Sequence, residues 1–232
     1  MEKQPKKLIL PKPHISWSAM SCWESSPARF RREYFECGHK LDTKYFRFGK
    51  SFASTMEELA KDEKLIEDGA WVKKSFGLDI NSPEFAEFKE GLIWYDVPEL
   101  EIRTTVLGIP ILSYLDSSSS KHPNFREYKT GKIPWTKAKV IKHGQLKFYA
   151  VAKKWSTGVT PEYCDLDWME TKESTEEVED FWRQNEKKIV FTGKIKSFHH
   201  EFSEKEIENM EKRIVKAARE ISEAYQAFIN EI

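Results

Sequence analysis

Phe125-Arg126-Glu127-Tyr128-Lys129-Thr130-Gly131, preceded by Leu112-Ser113-Tyr114-Leu115-Asp116, is the stretch on which the fold turns. Both segments carry the period-two pattern of β-strands. Successive strand side chains point to opposite faces, so Glu127 and Lys129 share one face while Tyr128 points to the other. Leu112, Tyr114 and Asp116 likewise share a face. If the two strands are neighbours, Asp116 and Glu127 can hold one divalent cation, with Lys129 beside the water that cation activates. That set of side chains suits hydrolysis of a phosphodiester, which needs hard oxygen ligands for Mg²⁺ or Mn²⁺ and a positive charge where negative charge accumulates.

Around this pair the chain divides into recognisable elements. Glu101 to Asp116 reads as a β-hairpin turning near Gly108-Ile109-Pro110. Upstream, Ser16 or Ser18 can cap a short helix through Trp23, and Ser26-Pro27 supplies the N-cap and first residue of a second. Phe48, Phe52, Met56 and Leu59 recur at helical spacing and predict a helix to Lys61, with Glu57 at the margin of its apolar stripe. Ser82-Pro83 opens another helix, and Pro98 marks the change to extended structure. Downstream, a helix is expected from about Ala138 to Trp155, weakened at Gly144 by roughly 1 kcal/mol relative to alanine. It would carry Gln145 and Tyr149 on one side, four residues apart. Tyr163 to Glu170 and Ile189 to Phe198 read as strands separated by an acidic helical segment around Thr175 to Lys187. Ser203 and Glu206 have capping-box spacing before a long helix whose apolar stripe runs Ile207, Met210, Ile214, Ala217, Ile221, Tyr225 and Phe228. A core-facing helix is the preferred reading of that stripe over a coiled-coil dimer. Helices, then strands around a helix, then a closing helix predict an α/β fold whose mixed sheet is covered on both faces.

The 232 residues suit one domain, expected over 16–232 after a flexible basic segment at 1–15. No apolar stretch resembles a signal peptide or a membrane span, so a cytoplasmic protein with no membrane partner is expected. Cys22, Cys37 and Cys164 are too few and too widely spaced for a disulfide framework or a zinc knuckle. The six histidines, His199-His200 among them, are expected at the surface. Formal charge is zero, from 38 basic and 38 acidic residues, but it is unevenly spread. Between Lys121 and Thr160 ten Lys or Arg face the single acid Glu127, whereas Glu162 to Glu186 carries ten acids against Lys172 and Arg183. The basic stretch surrounds the candidate site, and Lys132, Lys137, Lys139, Lys142 and Lys147 are the residues expected to hold a nucleic-acid backbone.

The order Asp116, Glu127-Tyr128-Lys129, Gln145-x-x-x-Tyr149 resembles the PD-(D/E)XK nuclease superfamily, in particular its RecB-like branch and the phage-type exonucleases. Lys129-Thr130-Gly131 matches the end of that family's catalytic strand, and Ser16-Trp17-Ser18 with Pro27-Ala28-Arg29-Phe30 resembles the branch's N-terminal helical motif. The resemblance runs from about Ser16 to Tyr149. It implies a restriction-endonuclease-like core in three α/β/α layers and a metal-dependent deoxyribonuclease acting on linear DNA ends in recombination, repair or phage DNA processing. By resemblance, Asp116, Glu127, the main-chain carbonyl of Tyr128 and Glu57 are the metal ligands. Lys129 orients or deprotonates the water, and Gln145 and Tyr149 line the active site. A homo-oligomer or a recombination partner protein would fit the same family. One departure stands out: members commonly carry a histidine four residues after the helix glycine, where Gly49 is followed here by Ala53. That departure and the zero net charge motivate an alternative, a catalytically weak or silent module that binds nucleic acid or a protein. Ser26 before Pro27, in place of a cysteine, argues against an iron–sulfur cluster.

Overall fold

In the computed structural model of the chain, which describes residues 8–36, 38, 43–179 and 185–231, the alternating segments pair into a mixed sheet of six strands. The strands are β1 (Ile15–Ser16), β2 (Val97–Val106), β3 (Ile109–Ser118), β4 (Phe125–Gly131), β5 (Tyr163–Glu179) and β6 (Asn185–Glu201). β2 and β3 form the expected hairpin, with Val106 opposite Ile109 and the turn at Leu107-Gly108, where both residues have positive φ. β2 occupies one edge of β3 along its whole length. The other edge is shared by β1, parallel at Ile111 and Leu112, and by β4, antiparallel at Ser117 and Ser118. β4 then runs parallel to β5, and β5 antiparallel to β6.

Helices cover both faces. On one lie α1 (Trp17–Ser25), α7 (Gly144–Thr157) and α8 (Glu204–Glu231), packed over a core that includes Met20, Phe30, Leu115, Phe125, Phe148 and Leu166. On the other lie α3 (Lys44–Lys61), α4 (Gly69–Phe76) and α5 (Pro83–Gly91), enclosing Phe52, Met56, Phe76, Phe88, Tyr128 and Phe191. This is the three-layer α/β/α arrangement that the element order predicts. The capping signals hold: Ser16 and Ser26 accept the N–H groups of Ala19 and Arg29, and Pro27 opens α2 (Pro27–Phe30). The chain leaves α2 through a π-helical turn at Arg31–Phe35. Ile207, Met210, Ile214, Ala217 and Ile221 of α8 are buried in the first core, so the apolar stripe is consumed within the chain. Among the described residues no helix is long and apolar enough to cross a membrane.

Several expectations are corrected. In the acidic stretch around Thr175 to Lys187, residues 175–179 and 185–187 are strand, because β5 and β6 extend past the predicted ends and pair with Glu177 opposite Lys187, while residues 180–184 lie outside the described residues. Its helix-favouring glutamates and lysines are overridden by cross-strand pairing. Gly69–Phe76, for which the sequence offers no expectation, is helix α4, capped by Asp68 and closed by Gly77 in a left-handed conformation. His200 is buried beneath α8, 3.5 Å from Glu206, while His199 stays on the outer side, as period-two alternation along β6 dictates. Of the segment expected to precede the domain, Leu8 and Leu10 pack on the core and the Ile9 N–H donates to Ser222 Oγ at 2.9 Å. Residues 1–7 lie outside the described residues. Cys22 and Cys164 are buried, and Cys37 lies outside the described residues.

The helix expected over 138–155 is two helices, α6 (Lys137–Lys142) and α7, broken at extended His143. Gly144 explains the break as well as the weakness. A Cβ there would overlap Trp17 Cη2 and stand 2.7 Å from Trp17 Cζ3, so α7 can start against α1 only with glycine in place. Gly144→Ala is therefore expected to cost about 1–3 kcal/mol in urea unfolding through overpacking. Pairing it with Trp17→Phe should recover part of that loss, and strict additivity of the two changes would refute the proposed clash.

Candidate active site

β3 and β4 pair only at Ser117/Arg126 and Ser118/Phe125, and beyond this point the strands part. Asp116 bridges the gap with its side chain: the Tyr128 N–H donates to Asp116 Oδ2 at 2.7 Å, replacing a ladder hydrogen bond. The opening becomes a cleft of about 420 Å³ lined by Tyr114, Asp116, Glu127, Tyr128, Lys129 and Thr130 from the sheet. α7 contributes Gln145 and Tyr149, and α3 contributes Tyr45, Phe46, Gly49, Lys50, Phe52 and Ala53.

Glu127 is the centre of this cleft and is only 1% exposed. Its Oε1 accepts from Lys129 Nζ at 2.5 Å and from Gln145 Nε2 at 2.9 Å. Gln145 Nε2 also lies 2.6 Å from Tyr149 Oη, and Gln145 Oε1 is 3.2 Å from His143 Nε2. Burial and the neighbouring Asp116 push the Glu127 carboxyl up to about 8, against the opposing pull of Lys129. Asp116 is raised as well, by burial, although Lys129 and the Tyr128 N–H oppose the rise. Burial works against charge on Lys129, but Glu127 and Asp116 outweigh it and its pKa rises. His143 is pushed down to about 4 by burial and by Lys129, so its imidazole is neutral. Burial, reinforced by Glu127, raises the Tyr149 phenol, which therefore keeps its proton.

The structure thus brings together Asp116, Glu127, Tyr128, Lys129, Gln145 and Tyr149. Glu57 does not line the cleft: its carboxylate lies 3.5 Å from Lys61 and is hydrogen-bonded to Glu99. Glu99 escaped the sequence reading. That bond first, then burial, lifts Glu99 to about 7, and Asp116 adds to the rise. Its backbone sits at φ 42 inside β2, an uncommon value for a residue with a side chain. Its only sequence signal is the preceding Pro98, which interrupts the strand pattern. Ala53 stands in the cleft itself and supplies no ligand.

Of the basic residues, Lys132, Lys137, Lys139 and Lys142 are exposed on the loop and helix between β4 and α7, with Lys139 Nζ 4.2 Å from the Trp135 ring centroid. Lys147 differs from them. Its Nζ donates to Ile141 O at 2.6 Å and pairs with Glu206 at 3.0 Å, so it ties α7 to α6 and α8.

The site can be tested for fit to a divalent cation. Glu127 Oε2 is buried and receives no N–H or hydroxyl donor, so its only relief within the chain is to share a proton with the adjacent Asp116 carboxyl, a role that a bound cation would take over. Asp116 and Glu127 are hard oxygen donors, the type that Mg²⁺ and Mn²⁺ take. Among the described residues no group of three or more His, Cys, Asp or Glu side chains is arranged to hold a metal ion, so the remaining ligands would be main-chain carbonyl and water. The donor set fits a hard ion that keeps several waters.

No protein-family model matches the chain, and no curated protein matches it. Among solved structures, it is similar to a protein of Eubacterium rectale inferred to be an exonuclease, at 11% identity and a TM-score of 0.48, with 90% of this chain and 82% of that one covered. It is also similar to a phage-related exonuclease from Haemophilus somnus 129PT, at 15% identity and a TM-score of 0.48, with 99% of this chain and 91% of that one covered.

Proposed function

We propose that the protein is a metal-dependent deoxyribonuclease, an exonuclease that hydrolyses phosphodiester bonds from linear DNA ends in recombination, repair or phage DNA processing. The observation that carries this reading is the unpartnered oxygen of Glu127, buried beside a second carboxylate and an ammonium group in an open cleft. Asp116, Glu127 and the Tyr128 carbonyl would hold Mg²⁺ or Mn²⁺ together with water, and Glu57, which lies outside the cleft beside Lys61 and Glu99, would not reach the ion. When bound, the ion would polarise the phosphate and lower the pKa of a bound water.

The chain's own groups divide the remaining work. Lys129, with its raised pKa, keeps its proton at neutral pH, so it stabilises negative charge on the phosphate and orients the water. Glu127 must lose the proton that burial and Asp116 hold on it before both of its oxygens can act as ligands. Gln145 fixes the rotamer of Glu127 and is itself held between His143 and Tyr149. Lys132, Lys137, Lys139 and Lys142 would grip the DNA backbone, and Lys147, already bonded within the chain, would contribute least.

The direct test is a gel of end-labelled linear DNA and closed circular DNA incubated with Mn²⁺. The native chain should release nucleotides from linear DNA and spare the circle. Lys129→Ala and Asp116→Ala should each lose activity by about a hundredfold or more, the scale on which single charge-stabilising groups act. Undiminished cleavage by either variant would end the proposal, and so would DNA binding without cleavage by the native chain.

Thermal unfolding gives an independent test of the buried carboxyl. Folded Glu127 titrates at about 8 against an ordinary value of 4.5, so between these values the folded chain binds more protons than the unfolded one. The stability this group contributes is complete below about pH 4.5 and is lost as pH rises through about 8. Glu127→Gln should therefore melt above the native chain at pH 8, and the two Tm values should approach each other at pH 5. Adding Mn²⁺ should raise the native Tm and leave the variant's unchanged. A gap that is equal at both pH values would contradict the burial of this charge.

A further inference from the structure

We propose that Phe46, with Tyr45 beside it, is a stacking platform for a nucleobase next to the phosphate under attack, so that the preferred strand arrives with its terminal base unpaired. The proposal rests on the nuclease reading above and adds the substrate's form to it. A single exposed apolar residue is ordinary and says nothing by itself. Here, however, two rings from consecutive positions line the same cleft as Asp116, Glu127 and Lys129, and Phe46 is 64% exposed.

Both rings sit on an anchored turn. Thr43 Oγ1 accepts the Phe46 N–H at 3.2 Å, which caps the first turn of α3. Tyr45 Oη donates to Glu173 Oε1 at 3.0 Å, and Lys44 Nζ lies 2.7 Å from the same oxygen, so the turn is tied to β5. The backbone that presents the Phe46 ring is thus fixed before the ligand arrives and loses little freedom on binding.

The chemistry of the cleft selects the occupant. Its floor is charged and its mouth is aromatic. An apolar peptide side chain would desolvate Asp116, Glu127 and Lys129 and return nothing to them. A nucleotide offers a phosphate to the floor and a π-face to the mouth. A paired base is held in the stack by its partner and its neighbour, whereas an unpaired terminal base can swing out and lay a face on the ring while its phosphate reaches the floor. The volume of about 420 Å³ also suits a small molecule or a single residue of a strand.

The test uses single-stranded oligonucleotides carrying 2-aminopurine at the 5′ or the 3′ terminal nucleotide, bound to the full chain in Ca²⁺. Native protein should quench one of the two end labels. Phe46→Ala should abolish the quench and weaken binding about tenfold, Phe46→Trp should restore both, and Phe46→Leu, which keeps the bulk without the π-face, should not. With an abasic terminal nucleotide, native protein and Phe46→Ala should bind equally. Phe46→Ala should also lose the preference for a frayed end over a blunt one. Equal binding of the base-bearing strand by native protein and Phe46→Ala would overturn the platform, as would an equal loss on the abasic strand. A parallel arm with unmodified DNA in Mn²⁺ separates the two readings. Cleavage without quenching overturns the platform alone, quenching without cleavage overturns the nuclease reading alone, and neither overturns both.

Discussion

The hydrogen bond from the Tyr128 N–H to Asp116 Oδ2 is the constraint on which the rest of the site depends. Two antiparallel strands that stayed in register would satisfy this N–H with a carbonyl and leave no room between them. Because the side chain of Asp116 substitutes for the carbonyl, β3 and β4 can part after Ser117/Arg126 without orphaning a buried donor. β1 takes the same edge of β3 again at Ile111 and Leu112, so the unpaired part of that edge lies between β1 and β4. The cleft is a gap in a sheet, held open by one carboxylate that also lines it.

β4 carries charges on both of its faces, and they are treated differently. Toward α3–α5, Arg126 makes two hydrogen bonds to Asp167, at 2.9 and 2.8 Å, and one to Asp165 at 2.9 Å, while Ser197 Oγ donates to Asp167. Those charges are matched, which is the condition under which burial of ions is tolerable. Toward α7, two carboxylates share the single ammonium of Lys129, and one oxygen is left without a donor. A sheet that needed only stability would have no reason to keep this imbalance. Crowding of two buried carboxyls keeps a proton on Glu127 up to about pH 8, at a cost in stability that the surrounding core must absorb.

The parts of this arrangement that were readable in the sequence are those that local periodicity controls. Alternation identified the faces of Glu127 and Lys129, the turn at Gly108 set the hairpin, and the apolar stripe of α8 located a core-facing helix. The misreadings arose where distant parts of the chain decide the outcome. Glutamates and lysines around 175–187 favour helix locally, yet pairing of β5 with β6 makes residues 175–179 and 185–187 strand. Gly144 was legible as a weak point, but the reason for it lies in Trp17, more than a hundred residues earlier. Glu99 carried no motif at all, because its meeting with Glu57 depends on where α3 crosses β2. Lys147 looked like one more member of a basic run, and only Glu206 on α8 reveals its internal duty.

Helix α3 sets both the size and the ligand chemistry of the cleft. It lies against β4 at Gly49, where a Cβ would stand 3.4 Å from Thr130 Oγ1, within ordinary contact. One turn further on, Ala53 faces the cleft with a methyl group, where a histidine would fill space and add a nitrogen ligand. With alanine there, the side-chain donors lining the opening beside the unpartnered oxygen are carboxylates, and a site of that kind favours hard ions with retained water over zinc or other imidazole-seeking metals. The same small residue leaves the volume in which a nucleotide can sit between the carboxylates and the rings of Tyr45 and Phe46. Alanine at position 53 therefore bears on which ion the opening could take and on how much room it holds, and it leaves Asp116, Glu127 and Lys129 in place.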